Sequence, residues 1–128
     1  MYRTDAKGRI VQVWVELLRP KTHKGRLRYN PRTLEKLPAD HAAHLIGDQF
    51  GGSNKIDNLI SMYGELNTGD YLRMERFWRQ VIDMDGDVSV KFNVSYDGDS
   101  KRPSGFMIEA KMDGISKIYS YKNTKGVT

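Results

Sequence analysis

Residues 67–82 read NTGDYLRMERFWRQVI, and the repeat within that stretch decides what kind of fold surrounds it. Tyr71, Met74, Trp78, Val81 and Ile82 recur at intervals that place them on one face of a helix. Thr68 and Asp70 are start signals for such a helix. Arg73, Arg76 and Arg79 fall on its other faces. The spacing predicts one helix from about 67 to about 82, with the aromatic stripe packed against a core.

Downstream the period changes from helical to alternating. Asp83–Asp87 (DMDGD) turns the chain. Val88, Val90, Phe92, Val94 and Tyr96 then alternate with polar residues, as do Phe106, Ile108, Ala110 and Met112. Each run reads as a half-buried strand. The segment DGDSKRPSG between them is a loop. Asp113-Gly114 is a hairpin signal, so a last strand is expected over about 115–121, followed by a fraying tail, KNTKGVT. Upstream, IVQVWVEL at 10–17 alternates in the same way, with Val11, Val13, Val15 and Leu17 on one side. Gly8 before it suggests a hairpin with a short first strand. The fold class is therefore α+β: a largely antiparallel sheet with one principal helix and a loop-rich region between 37 and 66.

The bulk numbers agree with one folded domain over residues 1–128. The chain is 38% hydrophobic and 29% charged, a balance that supports a core. It has no cysteine, which excludes disulfides and thiolate chemistry. No apolar run reaches the ~18 residues of a membrane span, so no membrane partner is expected. The start, MYRTDAKGRI, has no signal-peptide core. The net charge is +5, which favours a polyanionic partner. Much of that charge gathers in residues 19–36, where seven Lys and Arg face one acid, Glu35, and Pro20, Gly25 and Pro31 break any period. This segment is either a solvated loop or an arm that contacts phosphates.

Chemistry concentrates between the arm and the helix. His41 and His44 stand three residues apart, and His23 is the third histidine of the chain. Such a histidine is commonly a hydrogen-bonded structural residue. On a helical turn, His41 and His44 could instead share a face and help ligate zinc. Asp57-Asn58, Asn67 and Glu75 shift the balance. Amide and carboxylate oxygens around a cation that keeps most of its waters suit magnesium, and a neutral histidine nearby can take a proton from an attacking water. Together they read as a metal-assisted phosphodiester hydrolase. One limit is geometric. Eight residues of regular helix span about 12 Å, so Asn67 and Glu75 cannot both bind one ion directly if the helix runs unbroken from 67.

The stretch HLIGDQFGGSNKIDNLISMYGELNTGDYLRMERFW, 44–78, resembles the DNA/RNA non-specific endonucleases of the ββα-metal (His-Me finger) superfamily. Within it, the chain is most similar to the branch found as toxin domains at the C-termini of bacterial polymorphic toxins. The flanks YRTDAKGRIVQV and GDSKRPSGFMIEAKMDG are similar too, so the resemblance covers nearly the whole chain. It implies a hairpin-plus-helix unit holding one Mg2+ or Mn2+ ion and cleavage that leaves a 5′-phosphate. It also implies roles: His44 as general base, Asn67 as metal ligand, Glu75 on the metal's water shell, and Asn58 in support of the site.

The chain departs from the family where Asp-Arg-Gly precedes the histidine, since here His41-Ala42-Ala43 stand. The local arginine is missing, so Arg26, Arg28, Arg32 and Arg102 are the candidate phosphate contacts. Ala43 replaces a glycine, which matters if that position needs a positive φ.

The expected activity is metal-dependent hydrolysis of DNA, with RNA as an alternative substrate, without strong sequence preference. The alternative is a catalytically impaired nucleic-acid-binding module of the same fold. By resemblance, the partner of such a toxin is an acidic immunity protein. The expected setting is a secreted effector acting in the cytoplasm of a target cell, the chain being either free-standing or the C-terminal piece of a longer secreted protein.

Overall fold

The computed structural model describes residues 1–19, 36–46 and 59–124. The arm with Arg26, Arg28 and Arg32, together with His23, the Gly51-Gly52 turn and Asn58, lies outside the described residues. Along the chain come β1 (Tyr2–Thr4), β2 (Ile10–Val15), β3 (Asp40–His44), β4 (Leu59–Tyr63), α1 (Gly64–Thr68), α2 (Asp70–Asp83), β5 (Val88–Tyr96), β6 (Pro103–Met112) and β7 (Ile115–Lys122). Five strands form one antiparallel sheet in the order β1-β2-β5-β6-β7, and β3 and β4 form a separate antiparallel pair. No helix of the described residues is long and apolar enough to cross a membrane.

The alternating runs became strands because each places its apolar set on one face. Val88, Val90, Phe92 and Val94 on β5 and Phe106, Ile108 and Ala110 on β6 are buried, and the register pairs Phe92 with Ile108 and Val94 with Phe106. The opposite face is polar; there Gln12 donates to Asn93 across the β2–β5 pair (3.0 Å). The β6–β7 hairpin turns at Asp113 and Gly114, whose φ values are 50° and 84°. Two consecutive positive φ values define the tight turn that matches strand twist, and Asp-Gly adopts it at low cost.

Helix α2 lies across the apolar face of the sheet. Trp78 meets Phe92 and Tyr119 edge-on at centroid distances of 6.1 and 6.0 Å, and Tyr71 meets Phe106 at 6.2 Å. Edge-on ring pairs add about 0.5–1.5 kcal/mol each beyond the apolar area they bury. The aromatic stripe is thus core, as its spacing implied.

Two expectations change. The helix from 67 is two helices, broken at Gly69, where φ is −106° and ψ −107°. A Cβ on residue 69 would lie 2.6 Å from the Glu65 carbonyl oxygen, so only glycine lets the chain turn that closely. The region 37–66, loop-rich by its local pattern, carries the hairpin that the family resemblance implied. Asp40–His44 and Leu59–Tyr63 pair residue for residue, although Asp-His-Ala-Ala-His carries no β-branched or aromatic residue to announce a strand. The tail does not fray at its start either. Asn123 is fully buried, donating to Ser61 O (2.9 Å) and Pro103 O (2.8 Å) and accepting from the Tyr63 N–H (2.7 Å). One side chain therefore ties β4 to the five-stranded sheet just before α1 begins.

Candidate nuclease site

The candidate residues ride on the β3–β4–α1–α2 unit. Its first anchor is Asp40, the opening residue of β3. The carboxylate is buried and accepts from the Leu37 N–H (2.9 Å) and, bidentately, from Arg102 Nε (2.6 Å) and Nη2 (2.7 Å). Burial alone would raise this carboxyl. The hydrogen bonds from Arg102 and Leu37 outweigh it and hold the group below its ordinary value. The same pairing raises the Arg102 guanidinium. Arg102, expected to contact phosphate, thus has both of these nitrogens on Asp40, and a third, Nη1, faces Pro103 O at 3.4 Å. A phosphate would have to compete with a buried carboxylate for it. What the arginine does here is fix the start of β3 to the β5–β6 loop.

Strand β3 then carries both histidines. Three positions apart on a strand, they point to opposite faces, so the shared-face zinc arrangement falls. Ala43 lies between them, buried and paired with Ile60 in the regular ladder. It is not among the positive-φ residues, so alanine costs no backbone strain where the family has glycine. His44 is half-buried at the end of β3, opposite Leu59.

Helix α2 reaches that end of β3 through Tyr71, whose hydroxyl donates to the Leu45 carbonyl. Burial, then the charge of Glu75, push the Tyr71 hydroxyl well above its ordinary value, which keeps it a donor. Glu75 is buried one turn further along the same face of α2. The Tyr71–Leu45 bond therefore holds the strand end that carries His44 against the helix that carries Glu75.

Asn67 sits on α1, ahead of the Gly69 break. The 12 Å restriction on Asn67 and Glu75 assumed an unbroken helix, so it no longer applies. The Asn67 side chain meets His41: its Nδ2 lies 3.1 Å from His41 Nδ1. Sequence spacing left His41 ambiguous, and nothing local could have revealed this contact across 26 positions.

Could this unit hold a divalent cation? Among the described residues no three His, Cys, Asp or Glu side chains cluster as a metal cage. A closed tetrahedral zinc site needs such a set. A hard cation bound through a carboxamide oxygen and a carboxylate, with several waters kept, does not. Asn67 fits that role, because no donor among the described residues occupies its carboxamide oxygen. Cavities of about 500 Å3 beside Ser100, Arg102 and Lys122, and of about 160 Å3 beside Glu65, Asp70 and Arg73, are lined by none of His41, His44, Asn67 or Glu75.

Comparison with known proteins places this geometry in context. The family model of the DNA/RNA non-specific endonucleases matches residues 1–114. The Type VII secretion system protein EssD of Staphylococcus aureus (strain USA300) is 36% identical over 127 residues, covering 92% of this chain and 20% of that protein. The EssD proteins of strains NCTC 8325 / PS 47 and Newman match to the same extent. The chain therefore spans about a fifth of the length of these relatives. A solved structure described as Sda1 nuclease with bound zinc ion superposes with a TM-score of 0.58 at 24% identity, over 69% of this chain and 40% of that one. It supports the fold.

Proposed function

The chain belongs to the DNA/RNA non-specific endonuclease family, and from that premise we propose that it hydrolyses phosphodiester bonds of DNA, and of RNA as a second substrate, with one divalent cation, Mg2+ or Mn2+. The observation that carries the reading is the family match over residues 1–114, within which His44, Asn67 and Glu75 all fall on the β3–β4–α1–α2 unit.

The roles follow from chemistry. Asn67 would hold the cation through its carboxamide oxygen, and Glu75 would act on it through water. When bound, the cation offsets negative charge on the phosphate and on the departing oxygen. His44 takes a proton from the attacking water. The water oxygen bonds to phosphorus and the bond to the 3′ oxygen breaks; the departing oxygen takes a proton from solvent water, leaving a 5′-phosphate and a 3′-hydroxyl. Asn58 supports the site. Arg26, Arg28 and Arg32 contact backbone phosphates, which position a strand without reading its sequence. Arg102 contributes by anchoring β3 through Asp40.

We further propose that the chain is the nuclease portion of a secreted toxin that acts in the cytoplasm of a target cell and is blocked by an acidic immunity protein. Its 36% identity to EssD, named as a type VII secretion system protein, supports this. The net charge of +5 suits an acidic partner as well as a nucleic acid. The other reading, a binding module that has lost catalysis, drew on the altered residues before His44: the missing arginine, and Ala43 in place of the family's glycine. The regular strand geometry at Ala43 counts against the glycine part of that argument.

Nicking of supercoiled plasmid, with Mg2+ and with EDTA, beside a His44→Ala variant tests the proposal. Cleavage that needs the cation and is lost in the variant is expected. Cleavage that survives EDTA, or that persists in His44→Ala, would refute it.

A further inference from the structure

The His41–Asn67 contact has a chemical direction. An asparagine binds a hard cation through its carboxamide oxygen, never through its nitrogen. The two ends of the amide differ only by a half-turn of the last side-chain torsion, so something must choose between them. Here the nitrogen end lies 3.1 Å from His41 Nδ1. An amide nitrogen can only donate, so in this contact His41 Nδ1 is the acceptor.

The surroundings hold the imidazole in place for this. His41 is exposed on β3, but its ring lies against the first residue of α1: a Cβ on Gly64 would stand 2.8 Å from His41 Nε2 and 3.1 Å from Cδ2. The backbone fixes the two elements together there, with the Gly64 N–H donating to Ala39 O (2.9 Å). Asn67 follows Gly64 by three residues, so the ring contact and the amide contact lie on one side of the short helix.

We infer that His41 is a positioning residue: it holds the Asn67 carboxamide nitrogen and so turns the carboxamide oxygen outward as the cation-binding atom. The inference rests on the reading of Asn67 as the residue that holds the cation. His41 touches neither substrate nor cation in this role.

The experiment measures Mn2+ binding to the whole chain by electron paramagnetic resonance, with thermal unfolding in EDTA as the control for folding. Partners that orient a metal ligand typically contribute about 10- to 100-fold in affinity, and this contact is solvent-exposed, so the lower end applies. His41→Phe keeps a ring over Gly64 but removes the acceptor. It should weaken Mn2+ binding roughly tenfold, with the unfolding midpoint in EDTA unchanged and with nicking activity recovering at saturating Mn2+. His41→Asn puts an acceptor oxygen near the position of Nδ1 and should restore affinity to within about twofold of the wild type. Asn67→Ala should bind far more weakly than either. If His41→Phe binds Mn2+ like the wild type while Asn67→Ala does not, the inference fails and the ligand assignment stands. If His41→Asn is as weak as His41→Phe, the acceptor argument is wrong. If Asn67→Ala binds like the wild type, the ligand assignment fails and takes the inference with it.

Discussion

Asn123→Ala should loosen the catalytic unit without touching any catalytic residue. The Asn123 side chain is fully buried and makes three hydrogen bonds, of 2.7, 2.8 and 2.9 Å, to backbone groups of Tyr63, Pro103 and Ser61. At about 1 kcal/mol net for each of the three bonds, with the Tyr63 N–H losing its Asn123 acceptor, the loss is about 3 kcal/mol. For 128 residues, at an unfolding entropy of about 2.1 cal/mol/K per residue, that is a fall of roughly 11 °C in Tm. The more specific readout is amide exchange at Tyr63. If the β3–β4 pair opens locally, its protection should drop by about 100-fold, since each 1.4 kcal/mol is a factor of ten. Asn123→Asp is the sharper companion, because it keeps the acceptor toward Tyr63 but turns an anion toward the Ser61 and Pro103 carbonyls. It should be at least as damaging. Urea unfolding with an unchanged m value would show that the effect is on stability and not on the compactness of either state. An Asn123→Ala variant within about 1 kcal/mol of wild type, with Tyr63 still protected, would refute the reasoning.

Other outcomes follow from the same geometry. The folded Asp40 carboxyl is held below its ordinary value of 3.8, so its contribution to stability is complete above that value and is lost as pH falls through the lower folded value. Tm measured from pH 6 down to pH 2.5 should therefore show an acid limb that an Asp40→Asn variant lacks. At pH 7 that variant should already be less stable by about 3 kcal/mol, because it leaves the part-buried Arg102 charge without its partner; a neutral outcome would mean that the pair does not anchor β3. Replacing Arg26, Arg28 and Arg32 together by Ala should flatten the log–log dependence of plasmid binding on salt by about 2.7, from three phosphate contacts at about 0.9 each. An unchanged slope would remove the arm from the nucleic-acid interface.

Much of the fold follows from local period alone. The strands at 10–15, 88–96, 103–112 and 115–122 and the tight turn at Asp113-Gly114 lie close to where alternation and turn chemistry put them. A strand with one buried face must alternate, and that signal needs no knowledge of partners. The apolar face of α2 was equally readable, down to Trp78 as a core residue. The order of His44, Asn67 and Glu75, with the Gly-Gly and Asp-Asn-Leu steps between, was enough to place the chain in its family.

The sequence by itself thus determined the α+β class, the helix face, most of the sheet and the list of chemical groups. Only the tertiary structure decided how those groups meet. Strand β3 has weak strand propensity and is a strand because β4 completes its backbone hydrogen bonds. The break at Gly69 is set by the close approach of the chain to the Glu65 carbonyl, which no periodicity records. Arg102 meets Asp40 from 62 positions away, Asn123 meets Tyr63 from 60, and Asn67 meets His41 from 26. Each is a polar contact whose partner is chosen by the packing of apolar faces elsewhere. Local sequence states what a side chain can donate or accept, and the packed core decides to whom.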